Sequence, residues 1–160
     1  MYSIEQLKKI IEYLQAKIKQ LDPYGDLIYQ TVLKNVGKDL TTIAPDELGC
    51  AETVSRILEQ CFGDKPITIS TYYFYQIFKG SEKWKQVYNP IRGDIIISPT
   101  GYGKTAHGHI GFIGLNNIIY SNNSLTGKLE PNFTIATWIA QYSKMGYPTF
   151  YFRRVKIWNF

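Results

Sequence analysis

Two residues of the kind that do nucleophilic chemistry stand where chain geometry would help them. Cys50 lies in Asp46-Glu47-Leu48-Gly49-Cys50-Ala51-Glu52-Thr53-Val54, where a loop turns into a helix, and His109 lies in Gly108-His109-Ile110-Gly111-Phe112, where a strand begins. A thiol in the first turn of a helix meets unpaired backbone N–H groups and the positive end of the helix dipole, which favour the thiolate. Such a position, with an imidazolium nearby, lowers a free thiol from its usual pKa of about 8.5. Histidine, with a reference pKa of about 6.5, exchanges protons near neutrality and suits the base. The chemistry this pair implies is covalent attack on a carbonyl carbon, with helix N–H groups binding the oxyanion.

A third polar group is needed to hold the imidazole by its other N–H. The segment Ile119-Tyr120-Ser121-Asn122-Asn123-Ser124 ends an apolar run in polar residues and offers Asn122 or Asn123. Strand alternation lets only one of these two point toward the ring. His107 competes with His109 for the base, and Cys61 is read as a packing residue.

Two other constellations fail on geometry. Zinc held by Cys50, Cys61, His107 and His109 would need two sulfurs about 16 Å apart along one helix to reach a single ion at about 2.3 Å. Gly103-Lys104-Thr105 resembles the end of a phosphate-binding loop, but Ser98 stands where its first glycine belongs and a strand follows it. No metal and no cofactor are therefore expected.

Several elements must position Cys50 and His109. Ile4, Leu7, Ile10, Ile11, Leu14, Ile18 and Leu21 predict an amphipathic helix over 4–21, with Ser3 and Gln6 as a capping box. A second helix carries Leu27, Ile28, Val32, Leu33 and Val36 and stops at Gly37. A third begins at Cys50 and puts Cys50, Val54, Ile57, Leu58 and Cys61 on one inward face. Residues 71–79 read as a short helix, and Thr134–Met145 as another that stops at Gly146.

Strand patterns run over Asp94–Ser98, His109–Gly114, Ile118–Asn122 and Thr149–Val155, with a tight hairpin turn at Asn116-Asn117. His109 shares a strand face with Gly111, a bare wall that would let a helix start approach. Helices first and an antiparallel sheet after predict an α+β fold. Two parts are expected: the amphipathic helix, residues 1–22, packed on the domain or mediating assembly, and a catalytic domain over 23–160.

The chain has 160 residues, 44% of them hydrophobic, which suits a single core. Lys and Arg number 18 against 13 Asp and Glu, a net charge of +5 that is too scattered to name a polyanionic partner. Neither nucleic acid nor membrane is expected as a partner. Two cysteines cannot build a disulfide framework. The sequence opens without the basic start and apolar run of a signal peptide.

Taken in order, Gly49-Cys50-Ala51-Glu52, Arg92-Gly93-Asp94-Ile95-Ile96-Ile97, Gly108-His109-Ile110-Gly111-Phe112-Ile113-Gly114 and Tyr120-Ser121-Asn122-Asn123 resemble the NlpC/P60 and CHAP superfamily of papain-like peptidoglycan hydrolases. The resemblance spans roughly residues 40–125. It implies a papain-like fold, Cys50 as nucleophile, His109 as base and Asn122, with Asn123 next, as the third residue. Gly93-Asp94 matches a structural feature of the family. The Asp-Cys-Ser-Gly run of the NlpC/P60 branch is absent and the third position is not a histidine, so the likeness leans to the CHAP branch. It further implies a peptidoglycan peptide as substrate. A small domain of this kind without a signal peptide is similar to phage lysins and virion-associated enzymes that act on the bacterial wall.

Overall fold

The structure is a computed structural model in which residues 2–156 are described; Met1 and residues 157–160, the two ends of the expected parts, lie outside the described residues. Helix α1 (Ile4–Leu21) opens on the expected capping box: Gln6 N–H donates to Ser3 Oγ at 3.2 Å and Ser3 N–H to Gln6 Oε1 at 2.8 Å. Asp22 ends α1 and caps α2 (Pro23–Asn35), its Oδ1 accepting from Gly25 N–H at 3.0 Å. Gly37 follows with φ 82°, the left-handed conformation glycine tolerates.

Helix α3 (Cys50–Phe62) follows a 3₁₀ turn at Asp46–Leu48 and ends at Gly63. Helix α4 (Thr71–Gly80) occupies the stretch expected as a short helix. Helix α5 (Ile135–Lys144) starts at a reciprocal Thr134/Thr137 cap and stops before Gly146.

Six strands form one antiparallel sheet: β1 (Trp84–Val87), β2 (Ile95–Ser98), β3 (His109–Ile113), β4 (Ile118–Asn122), β5 (Leu129–Thr134) and β6 (Phe150–Arg154), in the order β1-β6-β2-β3-β4-β5. This is the α+β class the sequence predicts. The β3–β4 hairpin turns where expected, Asn116 and Asn117 both having positive φ (54° and 60°). β1 and β5 escape the sequence pattern because both are edge strands. β1 reads Trp-Lys-Gln-Val, and β5 carries Pro131, tolerated only where no ladder hydrogen bond is required of it.

The central strand β2 is buried along its whole length and divides the core. On one face Ile95, Ile97, Ile110 and Phe112 meet Ile28 and Val32 of α2, Val54, Ile57 and Leu58 of α3, and Phe74 and Phe78 of α4. On the other, Ile96, Ile113 and Ile119 meet Trp138 and Tyr142 of α5. Gly93 and Asp94 close the entrance to β2. Gly93, at φ 89°, lies where a Cβ would strike the Gly25 backbone, and the buried Asp94 carboxylate takes Arg153 at 2.8 and 2.9 Å and Ile91 N–H at 2.7 Å.

Helix α1 does not bury its apolar stripe on the domain. Ile4 is 76% exposed, Leu7 46%, Ile11 53% and Leu14 51%. Among the described residues, no helix is long and apolar enough to cross a membrane.

Candidate active site

Helix α3 begins without a side-chain cap, its N-cap being Gly49. The first-turn N–H groups are thus left for whatever lies above them. Cys50, 8% exposed, turns its sulfur to its own N–H, that of Ala51, and that of Ile110 on β3. The helix start is locked by Glu52, which is fully buried. Its carboxylate accepts N–H donations from Thr42 (2.9 Å), Ile43 (2.9 Å) and Ala44 (2.8 Å), the Thr42 hydroxyl (3.0 Å) and Arg56 (3.1 Å). Burial acts to raise the Glu52 pKa, but these donors prevail and bring it down to about 2.

The thiol itself goes the other way from the sequence expectation. Burial raises it to about 11, against the lowering effect of the Ile110, Ala51 and Cys50 N–H groups. Desolvation of a thiolate outweighs three backbone donors here, so the resting group is a neutral thiol.

His109 opens β3 with its ring on the α5 face. It stacks on Trp138 (centroids 5.0 Å apart, planes at 25°) and on Tyr142 (6.0 Å, 13°). Burial lowers its pKa to about 4, so the ring is neutral at physiological pH. Nε2 lies 2.9 Å from Ser121 Oγ, and Ser121 donates its hydroxyl proton to Asn132 Oδ1 at 2.7 Å. A serine has one proton to give, so Nε2 carries the hydrogen toward Ser121 and Nδ1 keeps the lone pair.

Asn122, the expected third residue, is therefore not the imidazole's partner. Ile113 pairs with Ile119 and Phe112 with Tyr120, which puts Ser121 on the His109 side of the sheet and Asn122 on the α3 side. There Asn122 donates to Asp46 C=O at 2.6 Å and accepts from Thr53 Oγ1 at 3.5 Å, bracing the turn before Cys50. Asn123 is taken up by the turn after β4: Leu125 N–H donates to its Oδ1 at 2.9 Å, and its Nδ2 donates to Glu130 at 2.7 Å.

Sequence reasoning missed Ser121, Asn132, Trp138 and Tyr142 as supports of His109. Ser121 was legible from the register of the Asn116-Asn117 hairpin. Asn132 was not: Ile119 pairs with Phe133 and Tyr120 with Pro131, so Asn132 is the extra residue of a β-bulge that turns its side chain to Ser121. Gly111 also has a different use from the one expected. The helix start approaches the opposite face, and a Cβ on Gly111 would sit 2.9 Å from Ser121 Cβ, so the bare position admits Ser121.

Cys50 and His109 line one hollow together with His107, Gly108 and the apolar Leu48 and Ile69. A second hollow shares His107, Gly108 and His109 as its wall and continues past Asn122, Asn123, Asn132 and Gln141. The two form a groove, apolar beside the thiol and amide-lined beyond the imidazole. The Pro99–Gly108 loop bordering it is tied down. Thr100 bonds Thr71 and Gly108, Lys104 N–H donates to Met145 C=O, and Tyr147 OH donates to Thr105 C=O. A separate hollow between α3, α4 and β1, lined by Leu58, Phe74, Phe78 and Trp84, contains neither cysteine nor histidine.

No protein-family model matches the chain, and no curated protein matches it. Among solved structures it is similar to a chain of the type VI native effector–immunity complex Tae3–Tai3 from Ralstonia pickettii, at 16% identity and a TM-score of 0.54, over 82% of this chain and 98% of that one. The likeness shows a shared fold, in keeping with the α+β, papain-like class expected from the sequence.

Proposed function

We propose that the chain is a cysteine amidase or endopeptidase that cleaves an amide bond of bacterial cell-wall peptide. The observation that carries this reading is that Cys50 and His109 line one hollow while Ser121 holds Nε2 and leaves Nδ1 as the basic nitrogen. The choice of peptidoglycan is supported by the sequence blocks around Cys50, Gly93-Asp94 and His109, and a fold shared with a chain of an effector–immunity complex fits a bacterial setting.

From a neutral thiol and a neutral imidazole, the reaction starts as general-base catalysis. Although the ring packs on the α5 face and the thiol on the α3 face, both line the hollow at the start of β3, and across it His109 Nδ1 takes the Cys50 proton as sulfur attacks the amide carbon, while the oxyanion is received by N–H groups at the start of α3. Collapse breaks the C–N bond, and the amine leaves with the proton from Nδ1. Water then attacks the thioester, passes a proton to Nδ1, and the acid departs with the thiol restored.

The apolar stretch of the groove, Leu48 and Ile69, shields the thiol from water. Amide-bearing Asn132 and Gln141 offer hydrogen bonds to a peptide backbone on the other side. We assign the action to the bacterial wall, with phage-type release or virion association as the setting implied by the sequence likeness.

Mass spectrometry of muropeptides after incubation of purified sacculi with the chain tests the reading. Paired new amino and carboxyl termini are expected. Products carrying a transferred amine would make the chain an acyltransferase, and intact muropeptides with retained sacculus binding would make it a silent binding module.

A further inference from the structure

We propose that α1 is one helix of a parallel two-stranded coiled coil formed with a second copy of this chain. Ile4, Leu7, Ile11, Leu14, Ile18 and Leu21 are spaced alternately by three and four residues, which makes three successive heptads with isoleucine at every a position and leucine at every d. A β-branched residue at a with leucine at d favours the parallel dimer, and an unbroken period of 3.5 keeps the seam on one side of a left-handed supercoil.

The placement of α1 agrees with that pattern. Its back, Gln15 and Ala16 at positions e and f, borders a hollow with Asp26 and Gln30 of α2 and Arg92, while Ile4, Leu7, Ile11 and Leu14 are turned away and 46–76% exposed. An amphipathic helix gains most of its stability by burying its apolar side, and here the body of the chain leaves that side uncovered.

Charge does not oppose that occupant. In a parallel pair, position g of one helix meets position e of the next heptad on its mate, which within α1 sets Ser3 against Lys8 and Ile10 against Gln15. Neither pair joins like charges. Lys8 and Lys17 border the seam on its two sides, widened only by Ile10, so it is narrower than the broad apolar face of a helix that lies in a lipid surface.

Sedimentation equilibrium of the full chain tests the proposal, with twice the 18.4 kDa chain mass expected. The Leu7→Glu/Leu14→Glu variant is expected to halve that mass while its near-ultraviolet circular dichroism stays that of the native chain. In a Cys61→Ser background, Leu7→Cys is expected to form an inter-chain disulfide readily on mild oxidation, because position 7 meets its own counterpart only in a parallel pair. A monomeric native chain at sub-millimolar concentration overturns the proposal, as does a double variant that keeps the doubled mass or a Leu7→Cys chain that does not cross-link. Monomers that co-pellet with phosphatidylglycerol vesicles would assign the seam to lipid and overturn it too.

Discussion

His109 Nε2 lies 2.9 Å from Ser121 Oγ, and the single hydroxyl proton of Ser121 is already given to Asn132. That arrangement decides the tautomer of the imidazole, and the tautomer decides which nitrogen is free to act as a base. It also moves the third position of the site off the two asparagines at the end of β4. Asn122 instead braces the turn ahead of Cys50.

Removing either member of the relay is expected to lower turnover without unfolding the chain. Ser121→Ala and Asn132→Leu should each cost about tenfold to a hundredfold, the usual effect of losing a group that orients a functional histidine. Nitrogen-15 NMR of His109 should show the Nε2–H tautomer in the native chain and a mixture in Ser121→Ala. Asn122→Ala should leave that spectrum as it is and lower the melting temperature.

The pH profile follows from burial. His109 sits near pKa 4 in place of about 6.5, so its ring is neutral and available as a base above about pH 4, and the acid limb of activity should fall there. Because the unfolded chain binds this proton up to about 6.5 and the folded chain only below about 4, stability should decline as pH falls across that window. At the alkaline end, iodoacetamide labelling of Cys50 should remain slow at pH 6–8 and rise toward pH 11, since burial holds the thiol protonated to about 11. Fast labelling at pH 6 would show a thiolate and contradict the burial argument.

Glu52 is a test of how the helix start is held. Glu52→Ala removes a buried carboxylate from five donors, Arg56 among them, and should cost about 3–5 kcal/mol of unfolding free energy in denaturant titrations at pH 7. Its folded pKa of about 2 lies below the reference value of 4.5, so its contribution is present above about pH 4.5 and lost as pH falls through 2. The native and Glu52→Ala chains should therefore converge in stability near pH 2.

Gly111→Ala should act on the rate through Ser121. The added Cβ would lie 2.8 Å from Tyr120 C=O and 2.9 Å from Ser121 Cβ, which forces the hydroxyl away from His109. A misplacement on the order of 1 Å costs up to about a hundredfold in turnover. Steady-state kinetics should show that loss in kcat with KM little changed.

Much of this layout was readable from residue patterns, and the exceptions have physical causes. The 3.6-residue periods of α1 to α3, the Asn-Asn hairpin and the buried run Ile95–Ile97 are local signals that tertiary packing reinforces. The edge strands β1 and β5 carry no such alternation, and β5 contains a proline. Cys50 and His109 stood out by type and position, but their ionisation did not, because the desolvation that sets it depends on Trp138, Tyr142 and Ile110 arriving from distant parts of the chain. Asn132 could not be foreseen, since a bulge shifts the register at one residue and no composition signal marks it.

Cys50 as the attacking nucleophile is open to a simple comparison. New amino termini released from purified peptidoglycan are measured for the native chain and for Cys50→Ala, with both shown to be folded by their thermal transitions. Release by the native chain and a loss of about a thousandfold or more in Cys50→Ala are expected. Equal release by the two chains would contradict it.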